Sequence, residues 1–209
     1  LEASLSTNID AMVEYYFKGV GLLSLGYFNK NIEDWIYQYS TNDYIYNGVA
    51  GYEMQQLRNG EEATVNGIEL TYQTKFLENF TFMGNYTITD SSTDKVEGRD
   101  DVPLVGQVDN MYNLSLAYET EKFFIRGSYN FADASLDELS DKAFEDRYYD
   151  EQSFLDVNAN YRVNDKLSIF AEGKNLTNQP LRYYQGIQSR TMQLEYYDIS
   201  WNVGLKYDF

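Results

Sequence analysis

From Tyr197 to the end of the chain every second residue is apolar: Tyr197, Ile199, Trp201, Val203, Leu205, Tyr207 and Phe209. The intervening positions hold Asp198, Ser200, Asn202, Gly204, Lys206 and Asp208. Successive side chains of a strand point to opposite faces, so this segment has one greasy side and one polar side. Its thirteen residues exceed the five or six usual in a soluble-domain strand. The same period of two runs through Leu5–Phe17, Ile68–Phe76, Phe80–Ile88, Tyr112–Tyr118, Phe123–Phe131 and Leu155–Val163, and starts again at Leu23 and at Leu167. The pattern predicts nine strands and an all-β fold.

The connections between these strands alternate in length. Lys18–Gly21, Leu77–Asn79, Thr120–Lys122 and Asn164–Lys166 are short; Ser40–Glu62, Ser91–Gly106, Ala132–Gln152 and Gln185–Met192 are long, polar and read as loops. In an antiparallel up-and-down meander, alternate connections fall at the same end. One end then carries tight turns and the other long charged loops, as in an outer-membrane β-barrel. Aromatic residues gather at the predicted tight-turn end: Tyr15 and Phe17, Phe76 and Phe80, Tyr118 and Phe123, and finally Tyr207 and Phe209. Rings at that level suit a membrane-interface girdle, although aromatic pairing within any sheet would also use them. A terminal Phe on the apolar face of the last strand resembles the signature by which the bacterial outer-membrane assembly machinery recognises barrels.

Composition narrows the chemistry. Aromatics make up 17% of the 209 residues, Pro occurs twice, and there is neither Cys nor His. Disulfides, thiolate metal sites, Ser-His-Asp triads, imidazole zinc sites and His-ligated haem are therefore excluded within this chain, which reads as no enzyme and calls for no cofactor. A net charge of −17 repels nucleic acid. Residues 1–20 lack the basic start and apolar run of a signal peptide. No window approaches the ~18 consecutive apolar residues of a membrane helix. Barrel strands average out to polar in such a window, so alternation, not mean hydropathy, decides the class.

Longer stretches carry a family likeness. VNGIELTYQTKFLENFTFMGNYTITDSS (65–92), DVPLVGQVDNMYNLSLAYE (101–119) and EGKNLTNQPLRYYQGIQSRTMQLEYYDISWNVGLKYDF (172–209) resemble TonB-dependent outer-membrane receptors, and so do LEASLSTNIDAMVEYYF and GLLSLGYFNKNIEDWI near the start. The likeness covers essentially the whole chain. RYYQG with SRTMQLEYY is similar to a subgroup associated with carbohydrate uptake. That family's barrel has twenty-two strands around a plug. The resemblance implies that residues 1–209 are the C-terminal portion of the barrel, with the plug and the earlier strands supplied from outside this sequence. It further implies location in the outer membrane of a Gram-negative bacterium. The implied partners are outer-membrane lipid, the plug, the missing strands, TonB, a transported substrate and a surface lipoprotein. Transport of an oligosaccharide is the leading expectation and of a ferric siderophore the second; a passive channel and a soluble β-sandwich binding module are the alternatives of other classes.

Several residues are candidates for chemistry at the long-loop end. Tyr37, Tyr39, Asp43, Tyr44, Tyr46, Arg182, Tyr183 and Tyr184 combine rings with amide, carboxylate and guanidinium neighbours, which suits sugars and iron chelates alike, or a packed loop with no ligand. The acidic segment Asp133–Glu151 offers oxygen ligands for calcium at Asp137, Asp141 and Asp146, without EF-hand spacing. The NLTN at 175–178 reads as a strand-end turn. Glu172 with Lys174 and Glu69 with Lys75 fall on polar strand faces, expected to line the lumen and to pair with the plug.

Overall fold

A computed structural model describes residues 1–17, 21–94 and 96–209. Nine strands form one meander in which each hydrogen-bonds its successor in antiparallel sense: β1 (Leu5–Phe17), β2 (Gly21–Glu33), β5 (Glu62–Phe76), β6 (Phe80–Thr93), β7 (Asn110–Glu119), β8 (Phe123–Ala132), β11 (Gln152–Arg162), β12 (Leu167–Lys174) and β15 (Ser200–Tyr207). The nine expected strands and their order are therefore present. The last is shorter than the alternation suggests. Asp198 takes a left-handed φ of 60°, which breaks the extended backbone, so Tyr197 and Ile199 lie outside β15.

Register keeps like with like across the sheet. Tyr72, Gly84, Leu114 and Tyr129 stand opposite one another from β5 to β8 on one face. Asn85, Asn113 and Asn130 do the same on the other, where the Asn113 amide donates to Asn85 Oδ1 at 2.8 Å. The apolar face is open: Leu25 is 54% exposed, Ile68 49%, Leu116 48% and Leu205 70%. Among the described residues no second sheet or helix layer covers the row from Trp201 to Tyr207. A soluble sandwich would bury these side chains at ten ångström spacing, about the distance at which sheets stack.

The apolar band has defined limits. On β5 and β6 it runs from Ile68 to Phe76 and from Phe80 to Ile88. Nine residues at ~3.4 Å, tilted by about 40°, rise roughly 25 Å, the height of a barrel's apolar belt. Toward the long-loop end the same outer face turns polar at Asn29, Asn66, Asp90, Asn110 and Asp133. Tyrosines mark that border: the Tyr86 hydroxyl donates to Asn110 Oδ1 at 2.7 Å, and the Asn110 amide donates to Asp133 Oδ2 at 2.7 Å. Tyr112 lies beside Tyr86 and stacks on Phe131 with centroids 4.9 Å apart.

The opposite border is aromatic too. Tyr15 meets Phe17, Phe17 meets Tyr72, and Phe76, Phe80, Tyr118 and Phe123 form a continuous chain of ring contacts at 4.9–6.4 Å. Tyr207 and Phe209 pack edge to face at 5.3 Å. Beneath them the turns are tight. Leu77 and Glu78 both adopt positive φ, and Asn164 Oδ1 accepts from the backbone N–H of Lys166 and Leu167. The turn at Lys18–Gly21 falls largely outside the described residues. At the other end the NLTN segment is pinned as a strand-end turn: Asp156 Oδ1 accepts from the Asn175 N–H, and the Thr177 hydroxyl donates to the Ser153 carbonyl.

Two of the long loops are not loops. Ser40–Glu62 belongs mostly to a hairpin, β3 (Ile36–Tyr46) and β4 (Val49–Asn59), and Asp133–Glu151 holds β9 (Ser135–Ser140), a 3-10 turn at Ala143–Glu145 and β10 (Arg147–Tyr149). With β13 (Leu181–Gln185) and β14 (Thr191–Glu195) these make a second sheet in the order β14-β13-β10-β9-β3-β4. The hydrophobic core of the chain sits here. Trp35, Tyr37, Tyr39, Val96, Val102, Leu136 and Leu139 pack together over Ala63, which lies on the polar face of β5 near its long-loop end. The second sheet is thus a cap folded over the inner side of the wall.

Candidate functional site: the outer cap

The cap is tied together by strand pairing and by arginines. Asn47 and Gly48 both take positive φ at the tip of the β3–β4 hairpin, the two-residue turn that matches strand twist. β9 then pairs in parallel with β3 through Tyr39↔Leu139 and Ser40↔Ser140, and β10 bridges β9 to β13. Across this frame Arg58 pairs with Glu97 at 2.6 Å, and its guanidinium lies 3.6 Å from the centroid of the Tyr39 ring. Arg99 grips Asp146 with both terminal nitrogens at 2.7 and 3.2 Å, while the Ser140 N–H donates to the same carboxylate at 2.9 Å. Arg147 reaches Asp137 at 2.5 Å and Glu138 at 2.9 Å, and Arg182 reaches Asp150 at 2.8 Å. Asp146, Asp150 and Glu138 are buried, so each carboxylate needs the cation it has.

This placement separates the candidate residues into groups. Tyr37 and Tyr39 are buried in the cap core; the Tyr37 hydroxyl donates to Glu97 Oε1 at 2.6 Å. Burial, reinforced by the Glu97 carboxylate, pushes the Tyr37 hydroxyl well above the usual tyrosine range. Tyr184 is buried and stacks on Tyr148 with centroids 5.3 Å apart; Tyr183 packs on Tyr149 at 5.0 Å with Arg147 over its ring. Asp43 is exposed and holds Lys142 at 2.8 Å, which raises the Lys142 ammonium above its ordinary value. Tyr44 and Tyr46 stand exposed near the hairpin tip, where Tyr46 meets Tyr52 edge to face at 6.0 Å.

Asp137, Asp141 and Asp146, the calcium candidates, are not drawn together. Asp137 and Asp146 each face an arginine, and Asp141 accepts from the Ser140 hydroxyl at 3.1 Å. Among the described residues no three acidic side chains converge on a point where an ion could sit. The arginines Arg58, Arg99 and Arg147 that organise the cap were no part of the sequence expectation, nor was Trp35. The Asn47–Gly48 pair between alternating flanks was the one local signal for the hairpin.

Residues 1–176 match the family model described as TonB dependent receptor-like, beta-barrel. No curated protein matches the sequence. Among solved structures, the chain is similar to the ferric enterobactin receptor PfeA of Pseudomonas aeruginosa in complex with enterobactin, at TM-score 0.70 and 20% identity over 100% of this chain and 32% of that one. The copper transporter OprC gives TM-score 0.71 at 14% identity, covering 99% of this chain and 31% of that one. The siderophore receptor PirA of Acinetobacter baumannii gives 0.67 at 17% identity, covering 99% and 32%. At these identities the likeness speaks for the fold, and the chain spans about a third of the length of the proteins it matches. Open apolar face, sorted connections and capped inner side agree with the family match over most of the sequence: the chain belongs to the TonB-dependent receptor β-barrel family.

Proposed function

We propose that this chain supplies wall and outer cap to a receptor in the outer membrane of a Gram-negative bacterium, which imports a neutral oligosaccharide with energy delivered through TonB. In this reading the rest of the receptor provides the plug and the remaining strands. The polar inner face of the wall, with Glu69, Lys75, Glu172 and Lys174, lies against the plug. A surface lipoprotein is a further partner at the cap. The work done is transport, not catalysis.

One observation carries the choice of substrate. Arg58, Arg99, Arg147 and Arg182 all have carboxylate partners within the cap, and so does Lys142. An anionic chelate needs cations to neutralise it, and these are engaged. Exposed rings at Tyr44, Tyr46 and Tyr52 remain, beside amides and hydroxyls that suit sugar faces. The ferric-siderophore reading has its own support: several similar structures are named as siderophore receptors, and Arg190, exposed, contacts the Phe144 carbonyl and Gln185 but no carboxylate.

Fluorescence titration of the intact receptor with neutral oligosaccharides and with ferric catecholates separates the two. Saturable binding of an oligosaccharide, weakened roughly tenfold by Tyr46→Ala, is the expected result. Binding of the ferric chelate alone replaces the sugar with a siderophore. Uptake that persists without TonB points to a passive channel.

A further inference from the structure

The apolar face of the wall is not smooth. A hollow of about 480 Å³ opens around Gly84 between Tyr72, Phe82, Tyr86 and Tyr112, and a second of about 310 Å³ lies at Gly127 between Phe80, Leu116, Tyr118 and Val157. The two adjoin across β7, where Leu114 stands opposite Gly84 and Leu116 opposite Gly127. Together they make one diagonal groove within the apolar belt, with rings at both of its ends.

The glycines explain why a groove is there. Glycine weakens a strand interior, and four other glycines of the wall have a ring lying where a Cβ would stand: Phe17 over Gly21, Phe28 over Gly67, Trp201 over Gly173 and Phe170 over Gly204, while Gly26 has ordinary contacts at 3.7 Å. Gly84 is hemmed more loosely, by Leu114 at 3.1 Å and Phe82 at 3.2 Å. Gly127 has nothing within 4 Å, and its φ is ordinary for a strand. Among the described residues no contact requires its side chain to be absent. A glycine of this kind marks the close approach of something from outside.

Resting on the membrane reading above, we propose that the groove seats an acyl chain of a phospholipid whose ammonium-bearing headgroup lies at the tight-turn end. Charge selects this source. The turns beneath the groove carry Glu78 and Glu121 beside Lys122, all exposed, a set that accommodates an ammonium and a phosphate together. Among the described residues the other end carries Asp90, Asp109 and Asp133, and burial with Asp133 and Asp90 nearby holds the Asp109 carboxyl above its usual range. A phosphorylated glycolipid would meet repulsion there. Depth agrees as well, since both hollows lie between the Tyr86–Tyr112 border and the Phe80–Tyr118 border.

The test is native mass spectrometry of the intact receptor released from outer membranes, comparing the unsubstituted protein with Gly127→Val and with Ala11→Val as a control elsewhere on the apolar face. Retained phosphatidylethanolamine should fall roughly tenfold in Gly127→Val, the equivalent of about 1.4 kcal/mol, and stay unchanged in Ala11→Val. Gly127→Ala, which adds one methyl group into open space, should give a smaller loss and guards against misfolding of the valine variant. Heat-modifiable migration should be the same in all. Equal lipid retention in every folded variant overturns the groove, as does a groove-dependent signal from lipopolysaccharide instead of phospholipid. Absence of heat-modifiable migration in the unsubstituted receptor overturns the membrane reading itself, and the groove with it.

Discussion

Leu205 in the wall and Leu139 in the cap are the same residue used in opposite senses, one 70% exposed and the other 0%. The wall turns its apolar side chains to one face and its polar ones to the other, and among the described residues its hydrophobic face is left open. The cap does what a soluble domain does. It buries Trp35, Leu136 and Leu139 and pairs its buried carboxylates with arginines. One chain thus uses its apolar residues in two opposite patterns, and the row of tyrosines and asparagines marks where the outer face changes character.

Variants that separate the two regimes should act on one and spare the other. The largest effect is expected at the cap's buried ion pair. Arg99→Ala leaves Asp146, 3% exposed, without its cation, and loss of one partner from such a pair costs about 3–5 kcal/mol. Limited proteolysis of the cap should accelerate sharply while heat-modifiable migration of the barrel persists. Loss of both together would mean that the cap is not a separate unit. Next is the wall. Leu25→Arg places a cation on the lipid-facing side and should cost about 2–4 kcal/mol of barrel stability near mid-bilayer, whereas Gln73→Arg, on the inner face, should be tolerated. Equal penalties in a refolding titration would break the assignment of faces.

The smallest effect is on pH. The Tyr37 hydroxyl has its pKa raised in the folded cap, above the ordinary value of 10.0 for the free side chain. A raised value means that its contribution is complete below pH 10 and declines as pH climbs above it, because the unfolded cap then releases the proton that the folded cap retains. The rate of limited proteolysis of the cap should shift upward above that pH, and Tyr37→Phe should reduce the shift. A shift beginning well below pH 10 would contradict the placement of Tyr37 against Glu97.

The wall was legible because a sheet with one uniform environment on each side imposes period two on the sequence, and the register from Leu5 to Tyr207 follows it. The cap was not, since β9, β10, β13 and β14 are short and its strands depend on partners far away in sequence. Tyr37 and Tyr39 illustrate the difficulty. As isolated letters they resemble ligand-facing rings, and only Glu97 and Arg58 turn them into packed ones. The acidic segment Asp133–Glu151 looked like a cation site for the same reason. Nothing local reveals that Arg99, 47 residues before Asp146, already supplies the charge.

The pairing of Tyr39 with Leu139 spans a hundred residues of chain (139 − 39 = 100), and it is parallel, so no hairpin can form it. Closing so long a segment costs entropy before any contact repays it. β5 to β8 lie between β3 and β9 in the chain, so this pairing closes over four wall strands. The adjacent antiparallel hairpins of the wall carry no such cost, so the parallel joint between β3 and β9 is the pairing expected to form late and to open first.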